Sequence, residues 1–283
     1  MLMLKGIALK GLLLAGAGFV ATPSVAAVVN DGDKPAASGQ LDEIVVTARR
    51  TQENLQTTPV AVTALSGLMI DKLNIQDVSA VPQFTPNLSI SQQPAAITAA
   101  SVYIRGIGNA SPSAVSEQGV GIYLDGVYIA RSAGAIFDLV DLERIEVLRG
   151  PQGTLFGRNS VGGAIQLVSK KPSSEMGLEA KGGYARFGDW FARARVDTGY
   201  LGGLPIKAAL SYQHRQRDGF FDNTLAPSSK DPGALNSDAV TVAVQGDFGK
   251  LTVNYMFDYN QREGTPSFFQ VVAATDDVRN YFG

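Results

Sequence analysis

From Gly177 onward the sequence settles into a period of two, and this alternation constrains the fold more than any other feature. Trp190, Ala192, Ala194 and Val196 alternate with Phe191, Arg193, Arg195 and Asp197. Ile206, Ala208, Leu210 and Tyr212 alternate with Lys207, Ala209, Ser211 and Gln213, and Val240, Val242 and Val244 repeat the pattern. A last run sets Leu251, Val253, Tyr255, Phe257 and Tyr259 against Thr252, Asn254, Met256, Asp258 and Asn260. Successive strand side chains point to opposite faces, so each run has one apolar and one polar surface. Strands of about ten residues with that division, and with aromatics toward their ends, suit the wall of a transmembrane β-barrel. The connections agree: 187–189, 199–205 and 246–250 are short, whereas 219–237 is long and polar. About five strands cannot close a barrel, and an open edge in lipid leaves backbone groups unsatisfied at several kcal/mol each. The sequence is therefore expected to be a portion of a longer one, its wall strands filling 173–283.

Upstream, residues 58–172 read as a mixed α+β domain. Residues 60–65 form a β-branched run, 67–73 and 75–81 read as short helices with Pro82 stopping the second, and 120–129 form a hairpin around Asp125-Gly126. The Ser/Ala/Gln-rich stretches 92–101 and 109–118 read as loops. The domain closes on 144–172: a strand to Arg149, a break at Gly150-Pro151, a helical turn over 152–156, Gly162-Gly163, and a strand over 164–169.

That glycine-rich stretch invites two catalytic readings, and both fail on spacing. A P-loop needs Lys and then Ser or Thr after its last glycine, but Gly157 is followed by Arg158-Asn159. A nucleophile elbow needs Gly-x-Ser-x-Gly, and Ser160 stands three residues past Gly157 and two before Gly162. Glycine serving tight turns and close packing accounts for the run. No cysteine is present and His214 is the only histidine, so no protein metal site has a plausible ligand set. A net charge of -2 gives no bulk attraction to nucleic acid.

At the N-terminus Lys5 and Lys10 precede an apolar run, 11–20, too short to span a bilayer, and Ser24-Val25-Ala26 supplies small residues for cleavage. Residues 1–26 are thus expected to be a secretory signal peptide, cut after Ala26 or Ala27. Residues 27–57 form an arm rich in Gly, Pro and Ser at its start. Within it, Asp42, Glu43, Ile44, Val45, Val46, Thr47 and Ala48 favour an extended conformation but have no evident local partner strand. Such a segment suits pairing with a sheet edge of another protein, or else it is the first strand of the following domain.

Several of these motifs, in order, resemble TonB-dependent outer-membrane receptors. Residues 42–48 look like a TonB box. Ile104-Arg105-Gly106, Leu124-Asp125-Gly126-Val127, 145–151 and Gly162-Gly163-Ala164-Ile165 resemble the family's plug domain. The resemblance implies a plug over 58–172 inside a barrel that begins at 173, in the outer membrane of a Gram-negative bacterium. It implies import of a scarce small-molecule ligand, driven by TonB pulling on the box from the periplasmic side. An iron–siderophore or similar chelate, cobalamin or a carbohydrate would fit. Outer-membrane lipid is the other implied partner; no enzyme activity and no cofactor are expected, any metal arriving within the ligand.

By the same resemblance 92–100 and 130–135 are expected as apical loops, with Gln92, Gln93, Arg131 and Ser132 as candidate ligand contacts. Arg105, Arg149 and Glu146 read as structural charges, because Arg and Glu are rarely buried unpaired. A competing reading is a soluble secreted binding protein or hydrolase complete at Gly283, using Asp138, Asp141, Glu143 and Glu146; paired carboxylates run such chemistry only at a fixed separation.

Overall fold

A computed structural model describes residues 45–47, 51, 53–93, 96–109, 117–131, 134–222 and 231–265. Two architectures meet near Pro172. The first is built on a five-stranded sheet of order β3-β9-β10-β7-β8: β3 is Val62–Ser66, β7 Val120–Leu124, β8 Val127–Tyr128, β9 Leu142–Arg149 and β10 Gly163–Ser169. Only β10 and β7 run parallel. A second sheet joins β4 (Leu88–Gln93), β5 (Ala96–Ile104) and β6 (Ile107–Gly108). Ile104, Val120, Ile122, Ile145, Val147, Ile165 and Leu167 are buried between these sheets and the helical segments, forming the main core.

Local chemistry sets the connections. Helix α1 (Gly67–Lys72) is capped by Ser66, whose hydroxyl accepts from the Met69 N–H. Asp125 and Gly126 both take positive φ, which a two-residue turn between Leu124 and Val127 requires. The turn of α2 (Gly153–Phe156) ends at Gly157, also at positive φ. At Gly163 a Cβ would lie 2.1 Å from the Leu148 carbonyl oxygen, so glycine permits the β9–β10 contact there.

Two expectations are corrected. The helix placed at 75–81 is a 3-10 helix over Val78–Phe84 that contains Pro82; its N-cap is Asp77, and the Pro82 carbonyl still accepts from Thr85. The stretch 92–101 is mostly strand: β5 begins at Ala96, where burial of Ala99, Ala100, Val102 and Ile104 overrides weak alanine propensity.

The second architecture is an antiparallel meander of β11 (Met176–Tyr184), β12 (Trp190–Tyr200), β13 (Ile206–Arg217), β14 (Leu235–Phe248) and β15 (Leu251–Gly264). The expected period of two holds along it. Trp190, Val196, Leu210, Tyr212, Val253, Tyr255, Phe257 and Tyr259 are exposed on one face, while Arg195, Asp197, Ser211, Gln213 and Arg215 are buried on the other. The outward apolar run of β14 from Val240 to Phe248 measures about 27 Å along the strand. At a tilt of about 40° that covers roughly 20 Å of depth, close to the apolar band of an outer-membrane wall.

Candidate functional site: a docked N-terminal segment and a charged seam

Of the residues expected to form the N-terminal handle, Val45, Val46 and Thr47 are described; Asp42, Glu43, Ile44 and Ala48 lie outside the described residues. Val45–Val46 form a short strand, β1, which pairs antiparallel with Glu53–Asn54, β2. The segment therefore has a local partner, contrary to the expectation of none. The Asn54 backbone carbonyl accepts from the N–H groups of Thr57 and Thr58, fixing the turn that follows β2.

Val46 is fully buried in a small cluster with Ala64, Tyr123, Leu148, Phe156 and Ala164. Thr47 is then held by polar groups. Its N–H and hydroxyl donate to Glu146 Oε1 at 2.7 and 3.1 Å, and its hydroxyl oxygen accepts from Arg144 Nη2 and Gln166 Nε2 at 3.1 and 3.0 Å. Glu146 and Gln166 are cross-strand neighbours on β9 and β10, so the central sheet itself presents this acceptor and donor pair. Glu146 is wholly buried; Arg144 Nε donates to it at 2.7 Å and a second arginine nitrogen pairs with Glu143. Glu146 is an internal charge as expected, with Arg144 as its partner. Arg105 and Arg149 make no ion pair among the described residues; Arg105 is exposed and Arg149 Nε is buried without a partner.

Three of the four expected ligand contacts are among the described residues. Gln92 and Gln93 stand at the end of β4, Gln92 exposed and Gln93 donating to Ser101 Oγ at 2.6 Å. Arg131 is exposed, and Ser132 lies outside the described residues. The carboxylates of the hydrolase reading are taken up in ion pairs: Asp138 with Arg262, Asp141 with Arg195, and Glu143 and Glu146 with Arg144.

Sequence reasoning missed the seam between the domain and the meander. There, among the described residues, four aspartates meet the basic inward face of the strands. Asp71, at the end of α1, contacts Lys181 and Arg193. Asp77 lies 3.3 Å from Arg262 and 3.6 Å from Arg215, Asp138 lies 3.2 Å from Arg262, and Arg215 also holds Asp189 at 2.7 Å. Asp141 joins Arg195 and Ser211, and Arg195 forks onto Asp197. Alternating arginines on the polar face of β12 and β13 were the available signal.

Electrostatics differ along this seam. Burial opposes the charge of Asp77, but Arg262, the Ser79 hydrogen bond and Arg215 together outweigh it and hold the carboxyl below its usual range. At Asp138 burial prevails over Arg262 and, with the neighbouring Asp77 charge, pushes the carboxyl up. Asp71 is held low: burial works against its charge, and the Arg193 and Lys181 contacts more than compensate. A cavity of about 540 Å³ opens beside Asp71, Asp77, Gln83, Lys181, Arg215 and Arg217. Among the described residues, none of Gln92, Gln93 and Arg131 lines it. Among the described residues no cluster of His, Cys, Asp and Glu could hold a metal ion.

A mixed domain docked by charge against a lipid-suited strand meander is the architecture of a plugged outer-membrane barrel. Residues 54–164 match the family model for the TonB-dependent Receptor Plug Domain. It is 25% identical over 197 residues to the vitamin B12 transporter BtuB of Vibrio vulnificus strain YJ016, covering 68% of this chain and 30% of that protein. It is 30% identical over 142 residues to the pesticin receptor of Yersinia pestis, covering 49% of this chain and 20% of that one. The ferric yersiniabactin uptake receptor FyuA of Yersinia pestis shares the fold with a TM-score of 0.63 at 23% identity, over 72% of this chain and 31% of that one. The pyoverdine outer membrane receptor FpvA of Pseudomonas aeruginosa gives 0.64 at 18% identity, over 77% and 30%. The chain thus spans a third or less of the length of each.

Proposed function

We propose that this chain supplies the plug and first wall strands of an importer that carries a scarce ligand across the outer membrane of a Gram-negative bacterium. Residues 1–26 direct export, 27–57 carry the box, 58–172 form the plug and 173–283 begin the wall. Residues 42–48 are the handle for TonB. The docking of Val46 and Thr47 carries this reading: among the described residues, Val45–Val46 form one short ladder, Val46 enters a small apolar cluster and Thr47 a polar one. A grip that shallow can be released without opening the five-stranded sheet, and an extended backbone so released offers hydrogen bonds to a partner strand. The exposed apolar face of β11–β15 supports contact with outer-membrane lipid.

The relatives are named for vitamin B12 and pesticin, and the similar structures for ferric yersiniabactin and pyoverdine. An iron–siderophore or similar chelate, cobalamin or a carbohydrate is the class of cargo we assign. Any metal travels inside that cargo, no bond in it is broken, and no resident cofactor takes part. Val45→Pro tests the coupling, because proline removes a donor from a paired strand. Cells carrying it are expected to bind ligand normally and to lose energised uptake; unchanged uptake would overturn the handle.

A further inference from the structure

The seam holds a second cavity, of about 440 Å³, beside Ser66, Leu68, Asp141, Glu143, Glu179 and Arg193. This smaller cavity and the larger one follow each other along the inner face of β11 and β12. Glu179 and Arg193 line the smaller, while Lys181, Gly183 and Phe191, nearer the turn at 185–189, line the larger. Among the described residues, Asp71 is the one residue that lines both.

The wall grips Asp71 with two cations. Lys181 and Arg193 stand directly opposite one another on β11 and β12, a like-charge pair that costs stability unless an anion lies between them. Asp71 supplies that anion: its Oδ1 accepts from Arg193 Nη2 at 2.5 Å and from Lys181 Nζ at 3.3 Å, and its backbone carbonyl accepts from Lys181 Nζ at 2.9 Å. Lys181 belongs to the larger cavity and Arg193 to the smaller, so the triad occupies the space between them. The contact is lightly held from the plug side. Asp71 lies in the last turn of a six-residue helix, with Asn74 at positive φ just beyond, and its side chain is 48% exposed, whereas Asp77 is buried.

We propose that the two cavities are one hydrophilic route between plug and wall, interrupted at a single point, and that Asp71 is its gate. Release of Asp71 from Lys181 and Arg193 joins the cavities and lets hydrated ions and solutes of that size pass. The central sheet need not open, because Asp71 leaves with the end of α1 while β9 and β10 keep their neighbours. A role for the route in import rests on the importer reading; the gate itself is a property of the seam.

The test is the ion conductance, in KCl across planar lipid bilayers, of the purified full-length protein that carries this chain. Two partly exposed ion pairs together bias an opening equilibrium by about tenfold, so Asp71→Ala is expected to raise the mean conductance about tenfold over wild type. Asp71→Glu keeps the carboxylate and should stay near wild type. Asp77→Asn loosens the same seam but alters only the larger cavity, and should also stay closed. Wild-type conductance from Asp71→Ala, or an equal rise from Asp77→Asn, would overturn the gate. Should Asp71→Ala lose hydrogen-exchange protection in β9 and β10, Lys181→Met combined with Arg193→Met opens the triad from the wall side instead; a rise there upholds the gate and wild-type conductance overturns it. A conducting Asp71→Ala protein whose uptake is indifferent to Val45→Pro sinks the importer reading alone, and a closed one whose uptake depends on the box sinks the gate alone.

Discussion

Inside the plug, Ile145, Val147, Leu148, Ile165 and Leu167 are wholly buried among hydrocarbon neighbours, whereas across the seam Asp71, Asp77, Asp138 and Asp141 meet Lys181, Arg193, Arg195, Arg215 and Arg262. The two regions answer to different physics. Hydrocarbon burial is non-directional and is forfeited outright when water enters, so the sheet β3-β9-β10-β7-β8 resists opening. Paired charges can exchange one partner for another or for water, so a surface held by them can slide or part while each side stays folded. The contrast describes a plug that is stable in itself and docked to its wall through replaceable contacts.

The largest expected effect lies on the hydrocarbon side. Leu148→Ala removes a fully buried side chain that packs with Val46 and is expected to cost the plug about 3 kcal/mol, read as a lowered denaturation midpoint. A change below about 1 kcal/mol would mean the interior is no better packed than the seam. Next comes Asp77→Asn. It removes a carboxylate that serves two arginines and should weaken docking by about 2 kcal/mol, the worth of a hydrogen bond to a charged group, leaving the Leu148 cluster untouched. Protease sensitivity of the 67–84 segment would report it.

Asp138→Asn should act in the opposite direction at neutral pH and by less, within about 1 kcal/mol, because burial already disfavours that charge. The pH dependence follows from the same two residues. Asp77 is held below 3.8, so its contribution is complete above that pH and is lost as the pH falls through its lowered native value. Asp138 is raised above 3.8, so docking first gains as acidification protonates it, before Asp77 is lost. A profile that falls monotonically from neutral pH would contradict this order. The smallest effect is expected for Lys170→Ala, whose partner Glu179 is exposed: less than about 1 kcal/mol, fading in salt.

Much of this was legible in the residues. The wall strands announced themselves by period, Asp125-Gly126 by turn chemistry, and α2 by its flanking Pro151 and Gly157. The α+β domain followed by antiparallel strands was as expected. What escaped had distant or collective causes. Strand β5 is rich in alanine, and burial against the rest of the core makes it a strand. Thr47 meets Glu146 across a sequence separation of 99, which no local pattern encodes. The seam cavity assembles from α1, the 3-10 helix and the inward face of β11–β13. Such a site becomes visible only when the two architectures are brought together.

The central claim, a self-supporting plug docked by exchangeable charge, is tested most directly by hydrogen exchange on the membrane-bound protein, wild type against Asp77→Asn. Faster exchange is predicted across 67–84 and the facing parts of β13 and β15, with β9 and β10 unchanged. If β9 and β10 lose protection together with the seam, plug and wall open as one unit and the claim is wrong.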